Sequence, residues 1–393
     1  MSHNPLVSIV IPVYNGSNFM REAIDSALAQ TYPNIEILVV NDGSTDNTRE
    51  IALSYGDKIR YFEKENGGVA TALNLAIHEM KGEYFSWLSH DDWYTPDKVE
   101  MEIRALQAGG DMNRAVYSEC DFVSWPDGAR RPTGCSRFGR DLAEVGWFAV
   151  IMGLISGCTL LIPKAYFDIY GGFDTSMRAV NDYEQWFRMF KDRKLVYVDK
   201  SLVGSRVHEG QVTSTYQGMR DEEDRMYAWM LEELQQVDTE ASGIGHYQLY
   251  SMKLAQWVDT PGLDRVRATL IRFLRDMDEP VVPAYIETDE NWYVYCAGRA
   301  ARRFIRNLRW RGISVSAVSD SNPARWGTDV DGVPCIPPEE IPRDARVIVA
   351  NAQPDAVMAQ LRDQGFSHVE SYQDWQRALL MTPIKKSCCE VLA

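Results

Sequence analysis

The chain opens on short apolar runs separated by polar turns. Val7-Ser8-Ile9-Val10-Ile11-Pro12 is a β-branched run closed by proline and the turn residues Tyr14-Asn15-Gly16, which predicts a strand. Phe19, Ala23, Ile24, Ala27 and Leu28 recur at helical spacing, so a helix is expected between Phe19 and Gln30. Ile35 to Val40 reads as a second strand, followed by Asn41-Asp42-Gly43-Ser44-Thr45-Asp46, a turn able to cap the next helix. Ile59 to Phe62 predicts a third strand, Gly68 to Met80 a helix and Tyr84 to Leu88 a fourth strand. Such alternation over short connections means an α/β fold with a mostly parallel sheet covered on both faces. Ligands of these sheets sit beyond the carboxyl ends of the strands. The polar clusters Tyr14-Asn15, Asn41-Asp42 and His90-Asp91-Asp92 all follow predicted strands.

The pattern changes near Tyr216. An acidic helical run covers Met219 to Gln236 and helical patterning continues to Met277, with a boundary expected around Asp278-Glu279-Pro280. Trp292 to Cys296, the turn Ala297-Gly298-Arg299, a helix to Arg311, and the strands Ser314 to Val318 and Val347 to Ala350 then rebuild a strand–helix–strand unit. The expected division is 1–215, a helical stretch 216–285, and a smaller α/β domain 286–393. Val145 to Pro163 carries no charge, yet glycines and polar residues interrupt it and no basic cluster flanks one side. A buried core helix running into a strand is the expectation, rather than a membrane span.

Apolar residues make up 45% of the 393 and aromatics 11%, enough to build cores and to argue against disorder. The net charge of −15 repels phosphate backbones and anionic lipid, so nucleic acid is a poor partner. A nucleotide can still bind where a cation or local amides offset its charge. Seven scattered cysteines form no CxxC pair and join no histidines at zinc spacing, and no signal-peptide pattern opens the chain. A cytoplasmic setting is expected, compatible with peripheral attachment at the inner face of the membrane.

Five ordered motifs now stand together: VSIVIPVYNG through VVNDGSTDNT, NGGVATALNLAI, KGEYFSWLSHDDWYTPDKVE, GGFDTSMRAVNDYEQWFRM and SRVHEGQVT. In order and spacing, over roughly residues 5–215, they resemble the family 2 glycosyltransferases of the GT-A fold. The resemblance implies a nucleotide-sugar-binding domain with a mixed, mostly parallel sheet. It also implies a divalent metal (Mn²⁺ or Mg²⁺), a nucleotide-diphosphate sugar donor, and inversion at the anomeric carbon by a single displacement. A glycan, lipid-linked glycan or protein would supply the acceptor hydroxyl. An oligomer is compatible with this.

Each implied role has a physical basis and a plainer alternative. By resemblance Asp91 is the direct metal ligand, with Asp92 serving the donor sugar or the ligand's surroundings; carboxylates at a strand end suit a hard cation against a diphosphate. The alternative is that Asp92 caps a helix. Many relatives carry a further aspartate where Ser89 stands, and Leu73 replaces a common arginine, so two donor contacts are in question. Pro12, Tyr14 and Asn15 would line the nucleobase pocket. Asp42 would accept from a pyrimidine ring N–H, favouring UDP or dTDP, whereas Asn41 reads as turn chemistry. Asn66-Gly67-Gly68 would bring backbone close to the donor. Asp182 is the candidate general base, against the alternative of a cap for the helix it opens. Glu184 is weaker, being on a different helical face. Relatives often have an acid where Asn181 stands. His208 could complete the metal shell or, protonated, contact phosphate, and His90 reads as a local hydrogen-bonding residue. Pocket shape near Trp87, Cys158 and the loop after Asp121 would select the sugar.

The last domain resembles Rossmann-like domains appended to polysaccharide-biosynthesis enzymes. Its glycine pattern is degraded, since Ala297, Ala300 and Ala301 stand near Gly298 where a dinucleotide motif wants glycines. Asp320 falls where a ribose would be bound, and an interaction or vestigial cofactor module is expected. The leading reading is sugar transfer in surface-glycan biosynthesis. A nucleotidylyltransferase would need a basic loop after the first strand, which Tyr14 to Asn18 lacks. A catalytically inactive nucleotide-sugar-binding module is the alternative raised by Ser89, Leu73 and Asn181.

Overall fold

The computed structural model describes residues 4–211, 215–239, 242–258, 260–280, 292–351, 354–386 and 388. The chain divides into two compact units, Met1–Val237 and Asp238–Ala393.

In the first unit nine strands form one sheet: β1 (Val7–Val13), β2 (Ile35–Asn41), β3 (Arg60–Glu63), β4 (Tyr84–Trp87), β5 (Trp93–Tyr94), β6 (Val116–Ser124), β7 (Arg130–Pro132), β8 (Leu160–Pro163) and β9 (Val196–Val207). The helices are α1 (Met20–Leu28), α2 (Thr48–Leu53), α3 (Val69–Glu79), α4 (Lys98–Gly109), α5 (Arg140–Ala143), α6 (Gly146–Ile151), α7 (Ala165–Tyr170), α8 (Asn181–Phe190) and α9 (Met219–Leu234). Every residue of β1 is buried, as a central strand covered on both faces requires. Met20, Ala23, Ile24 and Ala27 of α1 join Val7, Ile9 and Ile11 in the core, so the helical spacing read from the sequence is the packing face.

The strand order is β3-β2-β1-β4-β8-β6-β9-β5, with β7 on β6. The pairs β1–β2, β2–β3 and β1–β4 are parallel, as expected. Beyond β4 the sheet turns mixed: β4–β8, β6–β8 and β5–β9 are antiparallel and β6–β9 parallel. This seam decides the site. The two-residue strand β5 lies antiparallel on the end of β9, Trp93 opposite Gly204. A side chain at Gly204 would run into the Trp93 indole, so glycine there permits the approach. The pairing brings the Asp91–Asp92 turn beside Arg206–His208, more than a hundred positions later.

The uncharged stretch 145–163 becomes α6, a 3₁₀ turn at Gly157–Thr159 and β8, all buried. It is core, as the interrupted pattern predicts. No helix among the described residues is long and apolar enough to cross a membrane.

The second unit holds α10 (His246–Trp257), α11 (Asp264–Asp276), β10 (Trp292–Tyr295), α12 (Arg299–Trp310), β11 (Ala317–Ser319), β12 (Asp329–Val330), β13 (Val333–Ile336), β14 (Arg346–Val349), α13 (Pro354–Asp363), β15 (His368–Ser371) and α14 (Gln376–Met381). Its sheet runs β12-β13-β11-β10-β14-β15 and is parallel except for β12–β13. It is the smaller α/β unit the alternation predicts. The expected helical stretch 216–285 is shared between the units: α9 belongs to the first, α10 and α11 to the second. The expected boundary at 285–286 lies outside the described residues.

Candidate active site

A cleft of about 730 Å³ opens at the carboxyl ends of β1, β2 and β4 and runs to the start of α8. At one end stand Pro12, Tyr14, Asn15, Asp42 and Asn66. Pro12 is buried at the end of β1, while Tyr14 is half exposed. Asn15 has a left-handed backbone, φ 50°, and its carboxamide oxygen accepts from Thr45 N–H at 2.8 Å. That bond ties the β1 turn to the β2 turn. Asp42 is buried, and both carboxylate oxygens are engaged: Oδ1 accepts from Lys64 Nζ at 2.6 Å and Gly67 N–H at 3.0 Å, Oδ2 from Gly68 N–H at 2.7 Å. Oδ2 keeps a second lone pair for a further donor, and Asp42 lines the cleft. Gly67 therefore serves Asp42 and is not a lining residue; Asn66 and Gly68 line the cleft instead. Asn41 is turn chemistry as read, its amide bound to Tyr61 and its oxygen to Ser44 N–H.

In the middle, Asp91 Oδ2 meets His208 Nε2 at 3.0 Å. His208 Nδ1 accepts from Gly210 N–H at 3.2 Å, so the neutral ring carries its proton on Nε2 and donates it to Asp91. To ligate a cation through Nε2 the ring must give up that proton and the Gly210 contact. Among the described residues no group of three or more His, Cys, Asp or Glu is arranged to hold a metal alone. Two donors this close fit Mg²⁺ or Mn²⁺ when a ligand adds further oxygens, as a diphosphate can.

Asp92 caps nothing, since β5 and not a helix follows it. Its Oδ1 accepts from Arg206 N–H at 2.8 Å and its Oδ2 from the Cys158 thiol at 3.3 Å. Burial first, and then the Asp91 charge, push its pKa up. Burial likewise pushes the Cys158 thiol well up, so it stays a neutral donor, bonded also to Ser89 at 3.3 Å. His90 departs from expectation. Its ring makes no hydrogen bond among the described residues; it lines the cleft, and burial lowers its pKa. A Cβ at Gly16 would lie 2.5 Å from Val13 Cγ2 and 2.6 Å from that ring, so glycine there leaves room for both.

At the other end Asp182 sits in the first turn of α8, after the N-cap residue Val180. Its Oδ1 accepts from the adjacent Tyr183 N–H at 2.8 Å, a bond at the very start of the helix and not the reach to N2 or N3 that a cap makes. Burial raises its pKa to about 6, where a carboxylate can accept a proton near neutral pH. Asn181 is buried and bonds back to Met177 and Arg178 carbonyls. Glu184 is bound by Arg188 at 2.5 Å and is structural. Trp87 and Cys158 line the cleft as expected; no residue of the loop after Asp121 does.

Two arginines escaped the sequence reading. Arg206 is buried, its guanidinium 4.3 Å from the Phe19 ring centre, 4.9 Å from Trp125 and 5.1 Å from Trp93. Its Nε donates to Asp91 O at 3.0 Å and its other end pairs with Glu22 at 2.5 Å. It positions the Asp91–Asp92 turn against α1. Arg178 lines the cleft beside Asp182.

The profile described as Glycosyl transferase family 2 matches residues 8–167. An uncharacterized glycosyltransferase of Rickettsia typhi is 47% identical over 236 residues, covering 59% of this chain and 74% of that protein. The chain belongs to glycosyl transferase family 2. The chondroitin synthase of Pasteurella multocida is 32% identical over 215 residues, 53% of this chain and 21% of the synthase. Among solved structures, S. aureus TarS 1-349 in complex with UDP-GlcNAc aligns with a TM-score of 0.53 at 17% identity, over 68% of this chain and 80% of that one. That likeness bears on the fold, which is of the GT-A kind.

Proposed function

We propose that the chain transfers a sugar, with inversion, from a UDP- or dTDP-sugar to an acceptor hydroxyl during surface-glycan assembly. One observation carries the reading: a carboxyl raised to about 6, Asp182, shares a single cleft with the Asp91–His208 pair and with Asp42. Asp182 takes the acceptor proton as the acceptor oxygen bonds to the anomeric carbon. The bond from that carbon to the β-phosphate oxygen breaks, and its electron pair leaves on the nucleoside diphosphate. Asp42 and Tyr14 hold the base end of the donor. Asp91 and His208 would hold a divalent cation, which when bound neutralises charge on the diphosphate. The UDP-GlcNAc bound by TarS supports the choice of nucleotide, and the synthase relative supports a glycan product.

A thermal-shift screen of UDP, dTDP, GDP and CMP with and without Mn²⁺ tests the donor class, since a ligand of the native state raises the melting temperature. Stabilisation by UDP or dTDP only with Mn²⁺ is expected. Donor hydrolysis must then be lost in Asp182→Asn; equal turnover in both proteins removes Asp182 as base. Binding without turnover in either points to an inactive module.

A further inference from the structure

The cleft is acidic: Asp42, Asp91, Asp92 and Asp182 line it, and of the described lining residues Arg178 is the one lysine or arginine. Resting on the reading above, we infer that Arg178 grips the β-phosphate of the donor and takes up the charge released with the nucleoside diphosphate.

The backbone of Arg178 is held in place. Its N–H donates to both carboxylate oxygens of buried Glu222, at 3.0 and 3.1 Å, and Ala179 N–H donates to the same group at 2.8 Å. Tyr216 Oη donates to Glu222 at 3.0 Å, and the Tyr216 ring lies 5.5 Å from the guanidinium. Asn181 at the head of α8 bonds the carbonyl of Arg178. The clamp thus fixes the segment that carries Asp182. The guanidinium itself makes no hydrogen bond or ion pair among the described residues. It is a positioned cation whose donors no described residue engages.

Chemistry selects that ligand. A single displacement places the base and the departing oxygen on opposite sides of one carbon, a span an arginine side chain can cross. As the bond between the anomeric carbon and the β-phosphate oxygen breaks, the diphosphate gains a negative charge, and a preorganised cation there stabilises the transition state more than the ground state. The guanidinium fork suits paired phosphate oxygens. Among the described lining residues no other lysine or arginine is present. Lys64, near the base end of the cleft, is engaged by Asp42 at 2.6 Å. An acceptor need not be anionic, whereas the donor always is.

Calorimetric titration of UDP or dTDP, whichever the protein binds, against the matching nucleoside in Mn²⁺ tests this in wild type, Arg178→Ala and Arg178→Lys. Arg178→Ala should weaken the diphosphate about 10- to 100-fold, leave the nucleoside unchanged and lower kcat for donor hydrolysis; lysine should recover part of each. Should Arg178→Ala fail to fold, Arg178→Gln carries the same test. Unchanged diphosphate affinity and kcat overturn the inference while the donor site stands. A loss confined to the acceptor KM also overturns it and makes Arg178 an acceptor contact. If wild type binds no nucleoside diphosphate, the reading of the cleft fails and the inference with it.

Discussion

At Asp182 catalysis and stability pull in opposite directions. Burial lifts its carboxyl from 3.8 to about 6, so the folded chain holds the proton more tightly than the unfolded chain does. The stability this group contributes is therefore full below 3.8, falls as pH rises through the window from 3.8 to about 6, and stays low above it. Asp182→Asn removes the charge and keeps the shape. The variant should be more stable than wild type at pH 7.5 by on the order of 1–3 kcal/mol. The gap should narrow as pH is lowered toward 5, which urea unfolding at the two pH values measures. The same substitution should cut kcat roughly 100- to 10,000-fold with nucleotide affinity intact. Wild-type turnover should fall as pH drops through about 6, because the base is then protonated. A pH-independent rate from 5 to 8 would remove Asp182 from the chemical step.

Beneath the cleft, α4 carries an ion pair that no solvent reaches. Lys98 Nζ lies 2.8 Å from Glu102 Oε2, with both side chains fully buried. The ammonium also donates to Ser86 Oγ at 3.0 Å and lies 4.5 Å from the Tyr94 ring centre, joining α4 to β4 and β5. Lys98→Met leaves Glu102 buried without its counter-charge and should destabilise by about 3–5 kcal/mol. Adding Glu102→Leu should restore most of that loss, and a double-mutant cycle in urea would show the coupling. The pair was invisible beforehand, because an i, i+4 Lys–Glu spacing reads as a solvated helix face until the fold covers it. Strands β1 and β2 were legible, since buried parallel strands are dense in Val and Ile and their turns carry Asn, Asp and Gly; β3 and β4 were legible as short aromatic runs, Tyr61-Phe62 and Tyr84-Phe85, set between helical segments. The β5–β9 pairing was not: a two-residue strand has no period, and its partner lies over a hundred positions away. For the same reason Asp42, Asp91 and Asp182 could be named from motifs, whereas Arg206 could not. Its cage of Phe19, Trp93 and Trp125 exists only once distant segments meet.

Over the whole molecule the charge is −15, and four carboxylates line the cleft that must accept a diphosphate. Nucleotide binding should therefore depend on an added cation: the UDP-induced thermal shift should vanish in excess EDTA, and an equal shift there would remove the cation from the site. The second unit makes the opposite case. A dinucleotide needs free backbone N–H groups after the first strand of its sheet and a carboxylate free for ribose. Here Ala297, after β10, and Asp320, after β11, are already bonded to each other and to neighbouring side chains. Ala297 N–H donates to Asp320 Oδ2 at 2.8 Å, Ala297 O accepts from Arg325 at 2.5 Å, and Trp326 Nε1 donates to Asp320 O at 2.7 Å. Cys296 adopts φ 76°, a left-handed turn that glycine would take more easily. A ligand would have to break this set before making its own. NAD⁺ and NADP⁺ at millimolar concentration should thus leave the melting temperature of the full chain unchanged under conditions where UDP with Mn²⁺ raises it. A shift with either dinucleotide, abolished in Gly298→Val, would show that the loop opens and that this unit is a cofactor site.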